Sequence, residues 1–568
     1  MKKAVQRAVR SPRPLPDSSA ETVDRGAWWA PGATGGWSLA VAVPLALALV
    51  CLRSFTDGGY LLQVDSVFGP RPGSVPSGFG APVAFLQAAG VELFGGELVG
   101  RVYAAGALFL AGFGPMVLLR RAPWYARSAA AFLGALNPWV YDRMVDGQWG
   151  VVVAAAGLFL WVAAWEALQA SPGAYRALML ALTGAAIAAF APQMLGLVAV
   201  LMIVGSLWYR IWRDRTRLLW TGASAAMLGF LLSYAAISFF LSEQAGGYGT
   251  VRQFSRADFV FFRSVAGDDY GLLASLAGLY GYWGERMGRF PPANEDASWW
   301  PLAAAVIVAA ALAGAWFQRH RAWLLICGLL GLAVSASTAF PAGLEGAVWL
   351  SDRIPLAGAY REPQKWSALW LLALVTLSAG AVESVAGLLR RRPRSLARAV
   401  APALAYVLIL AALLPAGINQ IRALPSIVDP LEYPDYWYRT EDYLRSSVPR
   451  DEPIIVLPWH LYQPLAASEG RLVANPARAF FSGNLVVPQN LEIPGRFTDV
   501  TSRYDRIGAV IEREGYGSCA VARAIREENV NWILVLDGME AREVTLSLRR
   551  CGLSLVQGRP GQTALLRS

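Results

Sequence analysis

Apolar stretches long enough to cross a bilayer recur along the first 420 residues, and no other feature restricts the fold as strongly. A hydrocarbon core about 30 Å thick takes about 20 helical residues at 1.5 Å each. The runs lie at 37–55, 98–119, 128–140, 151–168, 177–190, 195–212, 218–241, 301–317, 322–340, 366–389 and 399–415, which makes eleven crossings. The chain reads as a polytopic α-helical membrane protein with about 11 transmembrane helices. Its 55 % hydrophobic and 16 % charged residues agree with that class.

Lys and Arg stay preferentially on the cytoplasmic side of a bilayer. Basic clusters precede the first run (Lys2, Lys3, Arg7, Arg10, Arg13) and fall at Arg120, Arg121 and Arg127, at Arg176, at Arg210 to Arg217, at Arg319 and Arg321, and in "RRRPRSLAR" at 390–398. They alternate with the spans, so the N-terminus is expected in the cytoplasm and the C-terminus outside. The organisation expected is a cytoplasmic arm at 1–36, a transmembrane domain at 37–417 with outer loops 56–97, 243–300 and 341–365, and an extracytoplasmic domain at 418–568. A polar arm of this length ahead of the first run is not the pattern of a cleavable signal peptide.

The net charge of +10 is dispersed through loops on one side, which positive-inside topology explains, and nucleic acid is not an expected partner. No GxxxxGK[ST] loop, HExxH or zinc-type Cys/His spacing occurs, and the two histidines, His320 and His460, lie far apart. Past residue 430 the pattern changes to short β-type runs, "EPIIVLPW", "NWILVLDG" and "LSLVQG", separated by helical stretches, so a small α/β domain is expected. It carries Cys519 and Cys551, whose pairing spacing alone leaves open. His460, in "LPWHLYQP", reads as an exposed turn residue, with a ligand contact as the alternative.

On this topology the acids at membrane edges gather on the outer side: Asp57 and Asp65 after the first run, Asp142 and Asp146 in "NPWVYDRMVDGQWG", Asp258, Asp268 and Asp269 in a long loop, and Glu362 in "YREPQKW". An ionisable group costs on the order of 2.5–3.5 kcal/mol at a helix centre and less near the interface, so a cluster of them marks a candidate site. Asp142 and Asp146, spaced i, i+4, share a helix face and repel unless a cation such as Arg143 offsets them. In "YREPQKW", Arg361 and Lys365 are placed to clamp a phosphate, with Glu362 and Gln364 orienting it.

An outward acid in the first loop, a charged second loop, a late Arg/Lys motif and a C-terminal α/β domain together resemble the GT-C membrane glycosyltransferases. "NPWVYDRMVDGQWG", "YREPQKW" and "VLPW" are similar to segments of actinobacterial arabinofuranosyltransferase-type membrane proteins. The resemblance implies transfer of a sugar from a polyprenyl-phosphate donor to a cell-envelope glycan or glycolipid acceptor at the outer face, with inversion. It implies that a first-loop acid is the base, Asp65 with Asp57 as the alternative, and that Arg361, Lys365, Glu362 and Gln364 bind the donor phosphate. Asp142, Arg143 and Asp146 then shape the acceptor or metal side of the pocket, and Gln148 and Trp149 contact sugar. The adjacent acidic pair of better-studied members is missing from the first loop. A divalent cation (Mg or Mn) therefore stays open, with Asp268 and Asp269 as candidate ligands. The rival readings are a transporter or flippase of lipid-linked sugar and a non-catalytic scaffold for envelope assembly.

Overall fold

The structure, a computed structural model, describes residues 36–73, 79–241, 254–266, 270–288, 290–293, 298–354, 357–389, 394–488 and 504–568. Residues 1–35, Asp268, Asp269 and the segment 390–393, with Arg390, Arg391 and Arg392, lie outside the described residues. The first half of the chain forms α1 (Gly36–Cys51), α2 (Ala81–Phe94), α3 (Gly96–Leu118), α4 (Trp124–Ala135), α5 (Pro138–Val145), α6 (Trp149–Ala170), α7 (Ala174–Phe190), α8 (Leu195–Tyr209) and α9 (Arg215–Leu241). Further long helices follow at Trp300–Phe317, Trp323–Ser337, Ser367–Leu389 and Arg394–Ala412.

Among the described residues, six helices are long and apolar enough to cross a membrane, at Gly96–Leu118, Trp149–Ala170, Pro192–Tyr209, Trp300–Phe317, Arg319–Ser337 and Pro363–Leu389. The fold is that of a multi-pass membrane protein. The run expected at 218–241 lies within α9, and other expected runs take other forms. Apolar helices of ten to seventeen residues stand at Leu39–Cys51 and Ala174–Phe190. The run expected at 128–140 is two helices, because Asn137 ends α4 and starts α5. Its Nδ2 donates to Leu133 O and Gly134 O, each at 3.0 Å, and its Oδ1 accepts from Val140 N at 3.0 Å, with Pro138 in the first helical position. The run at 399–415 bends by 61° into Pro415–Ile427 across a π-helical turn, Leu413–Gly417, that contains Pro415.

In the C-terminal region β1 (Pro453–Leu457), β2 (Tyr462–Pro464), β3 (Leu472–Ala474), β4 (Asn484–Val486), β5 (Trp532–Val535), β6 (Ser554–Gln557) and β7 (Ala564–Arg567) form two sheets. The larger has the order β4-β1-β5-β7-β6, with β1 parallel to β4 and β5 and β7 antiparallel to both neighbours. "PIIVL" and "WILV" are almost continuously apolar because β1 and β5 are central and buried on both faces. The β6 strand pairs on one side only, which fits its mixed polar and apolar run. Helices Cys519–Glu527 and Ala541–Arg550 cover one face, and Cys519 bonds to Cys551 with the Cα atoms 5.4 Å apart.

This region is not an appendage. Leu62 of the first loop is buried in the core on the other face of the large sheet, beside Leu431 and Trp437. Tyr60 and Leu431 exchange backbone hydrogen bonds of 2.7 and 2.9 Å, and Ala474 N donates to Gln63 O at 3.3 Å. The first loop is thus held between the helical bundle and the C-terminal sheet.

Candidate active site

Two short segments build the site, the loop around Asp65 and the end of α5. The helix stops at Gly147, which has φ +76°, a value that favours glycine. A Cβ on Gly147 would stand 2.7 Å from Gln63 Cβ and 3.0 Å from Ser66 N, so the first loop packs directly on this glycine. Asp65 N donates to Asp146 O at 2.9 Å and Ser66 Oγ donates to Gly147 O at 2.5 Å. The Asp65 backbone is fixed by the far end of the second loop, 81 residues along the chain from Ser66.

The Asp65 side chain is oriented by a relay of polar contacts. Gln148 Nε2 donates to Asp65 Oδ2 at 2.7 Å, and Gln148 Oε1 accepts from Arg143 Nη1 at 2.6 Å. Arg143 is 1 % exposed, lies over the Tyr282 ring at 4.3 Å and is 3.5 Å from Glu362 Oε2. Tyr282 in turn donates its hydroxyl to Asp146 Oδ2. Burial, with Asp146 next in effect, pushes the Tyr282 phenol well above its ordinary range, so it stays a donor.

Glu362 sits among three cations. Lys365 Nζ is 3.1 Å from its Oε1, Arg361 Nη2 is 4.0 Å away and Arg143 lies on the other oxygen. Burial pushes its carboxyl up, but Lys365, Arg361 and Arg143 outweigh this and hold it down at about 2. The carboxylate therefore stays charged and spaces the cations. Arg361 is also braced on the rings of Phe254 at 4.2 Å and Phe262 at 4.8 Å. "YREPQKW" forms a 3-10 turn at Pro363–Trp366 rather than an α-helical turn.

Asp65, Gln148, Arg361, Glu362 and Lys365 come together on one cavity of ≈ 330 Å³. A second cavity, ≈ 250 Å³, shares Asp65, Ser66 and Tyr103 with the first as lining residues. Asp65 is exposed and lines both spaces.

Other candidate residues stand elsewhere. Asp57 is exposed at the end of a 3-10 turn and lines neither cavity. Trp149 is fully buried behind the cavity wall, stacked on Phe68 at 6.1 Å with its Nε1 on Met144 O, which corrects its expected contact with sugar. Gln364 is also buried, with its Nε2 on Phe262 O and its own carbonyl accepting from Trp139, so it props the turn instead of facing the cavity. Asp142 is buried, its Oδ1 has no hydrogen-bond partner among the described residues, and burial followed by the nearby Glu285 pushes its carboxyl well above the ordinary range. Asp258 closes the capping box of the short helix Arg256–Phe261. His460 is partly exposed, 3.4 Å from Glu540.

Tyr282, Tyr103, Arg71 and Gln87 are site residues that sequence reasoning does not reach. Tyr282 meets Asp146 across 136 residues, and "LYGYWGE" carries no spacing that points to it. Among the described residues no three His, Cys, Asp or Glu side chains converge as metal ligands. The charged groups opposite Asp65 are instead cations around one spaced carboxylate. This set of side chains does not fit a divalent ion.

No protein-family model and no curated protein matches the chain. Among solved structures it is similar to the arabinofuranosyltransferase AftD from Mycobacteria, with a TM-score of 0.59 at 15 % identity, over 95 % of this chain and 40 % of that one. A second structure of AftD, of a point variant, gives 0.58 at 16 % identity over 93 % and 41 %. The chain thus spans about two fifths of AftD. The archaeal oligosaccharyltransferase AglB from Archaeoglobus fulgidus overlaps more loosely, with a TM-score of 0.45 at 15 % identity over 94 % of this chain and 70 % of that one. The chain thus shares the fold of the AftD region that it covers, a fold of a membrane arabinofuranosyltransferase.

Proposed function

We propose that this protein is a membrane glycosyltransferase that moves a sugar from a polyprenyl-phosphate donor to a hydroxyl of a cell-envelope glycan or glycolipid. The observation that carries the proposal is the position of Asp65: one carboxylate that lines two cavities, one of them lined by Arg361 and Lys365. The donor phosphate lies against Arg361 and Lys365, kept apart by Glu362, and the acceptor enters from the second cavity. Asp65 takes the acceptor O–H proton as the oxygen attacks the anomeric carbon. The bond from that carbon to the phosphate oxygen breaks, and its electron pair leaves with the polyprenyl phosphate. Displacement in line inverts the anomeric centre. A placed base contributes about 10²–10⁴ in rate, and fixed cations stabilise charge that grows on the leaving phosphate.

The topology proposed has eleven crossings, with Arg120 and Arg213 in the cytoplasm and Asp65, Asp146 and the region after 420 outside. The positive-inside distribution supports it. AftD is an arabinofuranosyltransferase, which makes an arabinofuranosyl donor the first to try. A transporter places its site near the membrane midplane on interrupted helices. Here the acids and cations lie in loops and at helix ends, which favours transfer. The test uses the full chain in nanodiscs with polyprenyl-phosphate arabinose: sugar transferred to an added glycan supports the proposal, whereas movement of intact donor across the membrane without cleavage refutes it.

A further inference from the structure

The second cavity has a wall that the transfer chemistry does not require. It is lined by Asp65, Ser66, Arg71, Gln87, Tyr103 and Ala479, so it takes residues from the first loop, α2, α3 and the C-terminal region. Among the described residues, Arg71 is its one cationic lining residue and Asp65 its one anionic one. Gln87 and Tyr103 stand near each other on this wall.

Arg71 is held there from the C-terminal side. Its backbone N donates to Ala479 O at 3.0 Å, and its Nη1 donates to Glu441 Oε1 at 2.8 Å. Glu441 is itself buried, and its other oxygen accepts from Ser482 N at 2.8 Å and Ser482 Oγ at 3.2 Å. The approach is close: a Cβ on Gly69 would stand 2.3 Å from Ala479 O. The Arg71 side chain stays 39 % exposed, and it lines the cavity. The opposite wall is α2, which shows Ala84, Gln87, Ala88 and Val91 to the cavity, a spacing of i, i+3, i+4 and i+7, and leaves Phe85, Leu86, Leu93 and Phe94 exposed on its other side. That exposed apolar face fits contact with lipid.

Resting on the transferase reading, we infer that this cavity binds the single terminal sugar of a membrane-anchored acceptor, and that Arg71, positioned by Glu441 of the C-terminal region, is the residue that selects it. Guanidinium, carboxamide, hydroxyl and phenol groups around ≈ 250 Å³ form an array for the hydroxyls of one sugar ring. The volume falls below the ~300–1,000 Å³ of sites that enclose drug-sized ligands, so the second and third sugars of a chain stay outside it. The C-terminal region thereby acts on acceptor choice, while Arg361 and Lys365 act on the donor.

The experiment uses the full chain in nanodiscs, a polyprenyl-phosphate sugar donor and octyl glycosides of one, two and three sugar units as acceptors. Arg71→Ala and Gln87→Ala are expected to raise the acceptor KM by about tenfold or more with the donor KM unchanged, as loss of a hydrogen bond from a charged or polar group predicts. Glu441→Gln, which leaves the guanidinium in place but loosely held, is expected to raise the acceptor KM less and to leave kcat alone. One-, two- and three-unit acceptors are expected to share one KM within about threefold. Thermal midpoints of all three variants check folding, and Gln87→Ala keeps the test open if Arg71→Ala fails to fold. An acceptor KM unchanged in the variants, a donor KM that rises with it, or a three-unit acceptor that binds about tenfold tighter than one unit overturns the inference. A wild-type chain that cleaves no donor overturns the transferase reading, and the acceptor inference with it.

Discussion

Gln148 donates to Asp65 at 2.7 Å through its carboxamide nitrogen, and it can do so in that direction only because Arg143 holds the carboxamide oxygen at 2.6 Å. The proton on Gln148 therefore always points at Asp65. This places the Asp65 carboxylate, and it sets up a test of whether that carboxylate is the base.

Replacing Gln148 by Glu keeps the bond to Arg143 but puts a like charge beside Asp65. A neighbouring carboxylate raises the pKa of an acid, so a higher pH is needed to free the base. The acidic limb of the kcat/KM profile should move up, by about one unit, whereas Gln148→Ala should lower kcat without that upward movement. An acidic limb that stays in place in Gln148→Glu would separate Asp65 from the rate.

Arg143 and Glu362 are 1 % and 7 % exposed at their side chains, so removing either leaves a buried charge behind. Arg143→Ala is expected to cost about 3–5 kcal/mol, read as a fall in the thermal midpoint. The Glu362 carboxyl is held at about 2 against an ordinary 4.5. A depressed carboxyl contributes stability above its unfolded value and loses it as pH falls toward its folded value. Between about pH 4.5 and 2 the wild-type midpoint should therefore drop, with a contribution on the order of 3 kcal/mol at stake. A Glu362→Gln protein should lack this part of the acid dependence.

Arg361 and Lys365 line the cavity assigned to the donor. Arg361→Ala and Lys365→Ala should each raise the donor KM by about 10- to 100-fold, the scale of one charge-assisted hydrogen bond, and leave the acceptor KM in place. Unchanged donor affinity in both variants would make these residues interface anchors.

Tyr282→Phe removes one hydroxyl, the donor to Asp146, and keeps the ring under Arg143. Since Asp146 O holds the Asp65 backbone N, the change should lower kcat by about tenfold with both KM values kept, and the loss of one hydrogen bond should cost no more than ~1–3 kcal/mol of stability. A change in donor KM instead would place Tyr282 against the sugar.

Much of this is legible along the chain, in proportion to how local each feature is. The long apolar helices, the β1 and β5 runs and the charged motif at 142–148 follow from periodicity and composition within one segment. Asn137 is harder: a single residue that caps in both directions splits an apolar run, and its effect shows only when the Leu133, Gly134 and Val140 partners are in view. The α2 helix lies inside a stretch expected as loop, because its 14 residues are too few for a span. Charge signs in "YDRMVDGQWG" mark the right neighbourhood but not the roles. Arg143 and Gln148 reach the cavity residues, while Asp142 turns into the core and Trp149 packs behind the wall, a division set by which side of a short helix faces the first loop. Arg71 with Glu441, 370 residues apart, and Tyr282 with Asp146 have no sequence signal, since nothing but the tertiary fold brings them together.

The most direct measurement is turnover by Asp65→Asn beside Asp57→Asn, in the full chain with a polyprenyl-phosphate sugar donor. Asn keeps the size of the side chain and an oxygen for Gln148 but cannot take a proton. Asp65→Asn should bind donor normally and lose about 10² or more in kcat. Asp57→Asn, at an exposed turn, should stay within about twofold of wild type, as surface changes commonly do. An Asp65→Asn protein with near-normal turnover would contradict the account, whatever Asp57→Asn does.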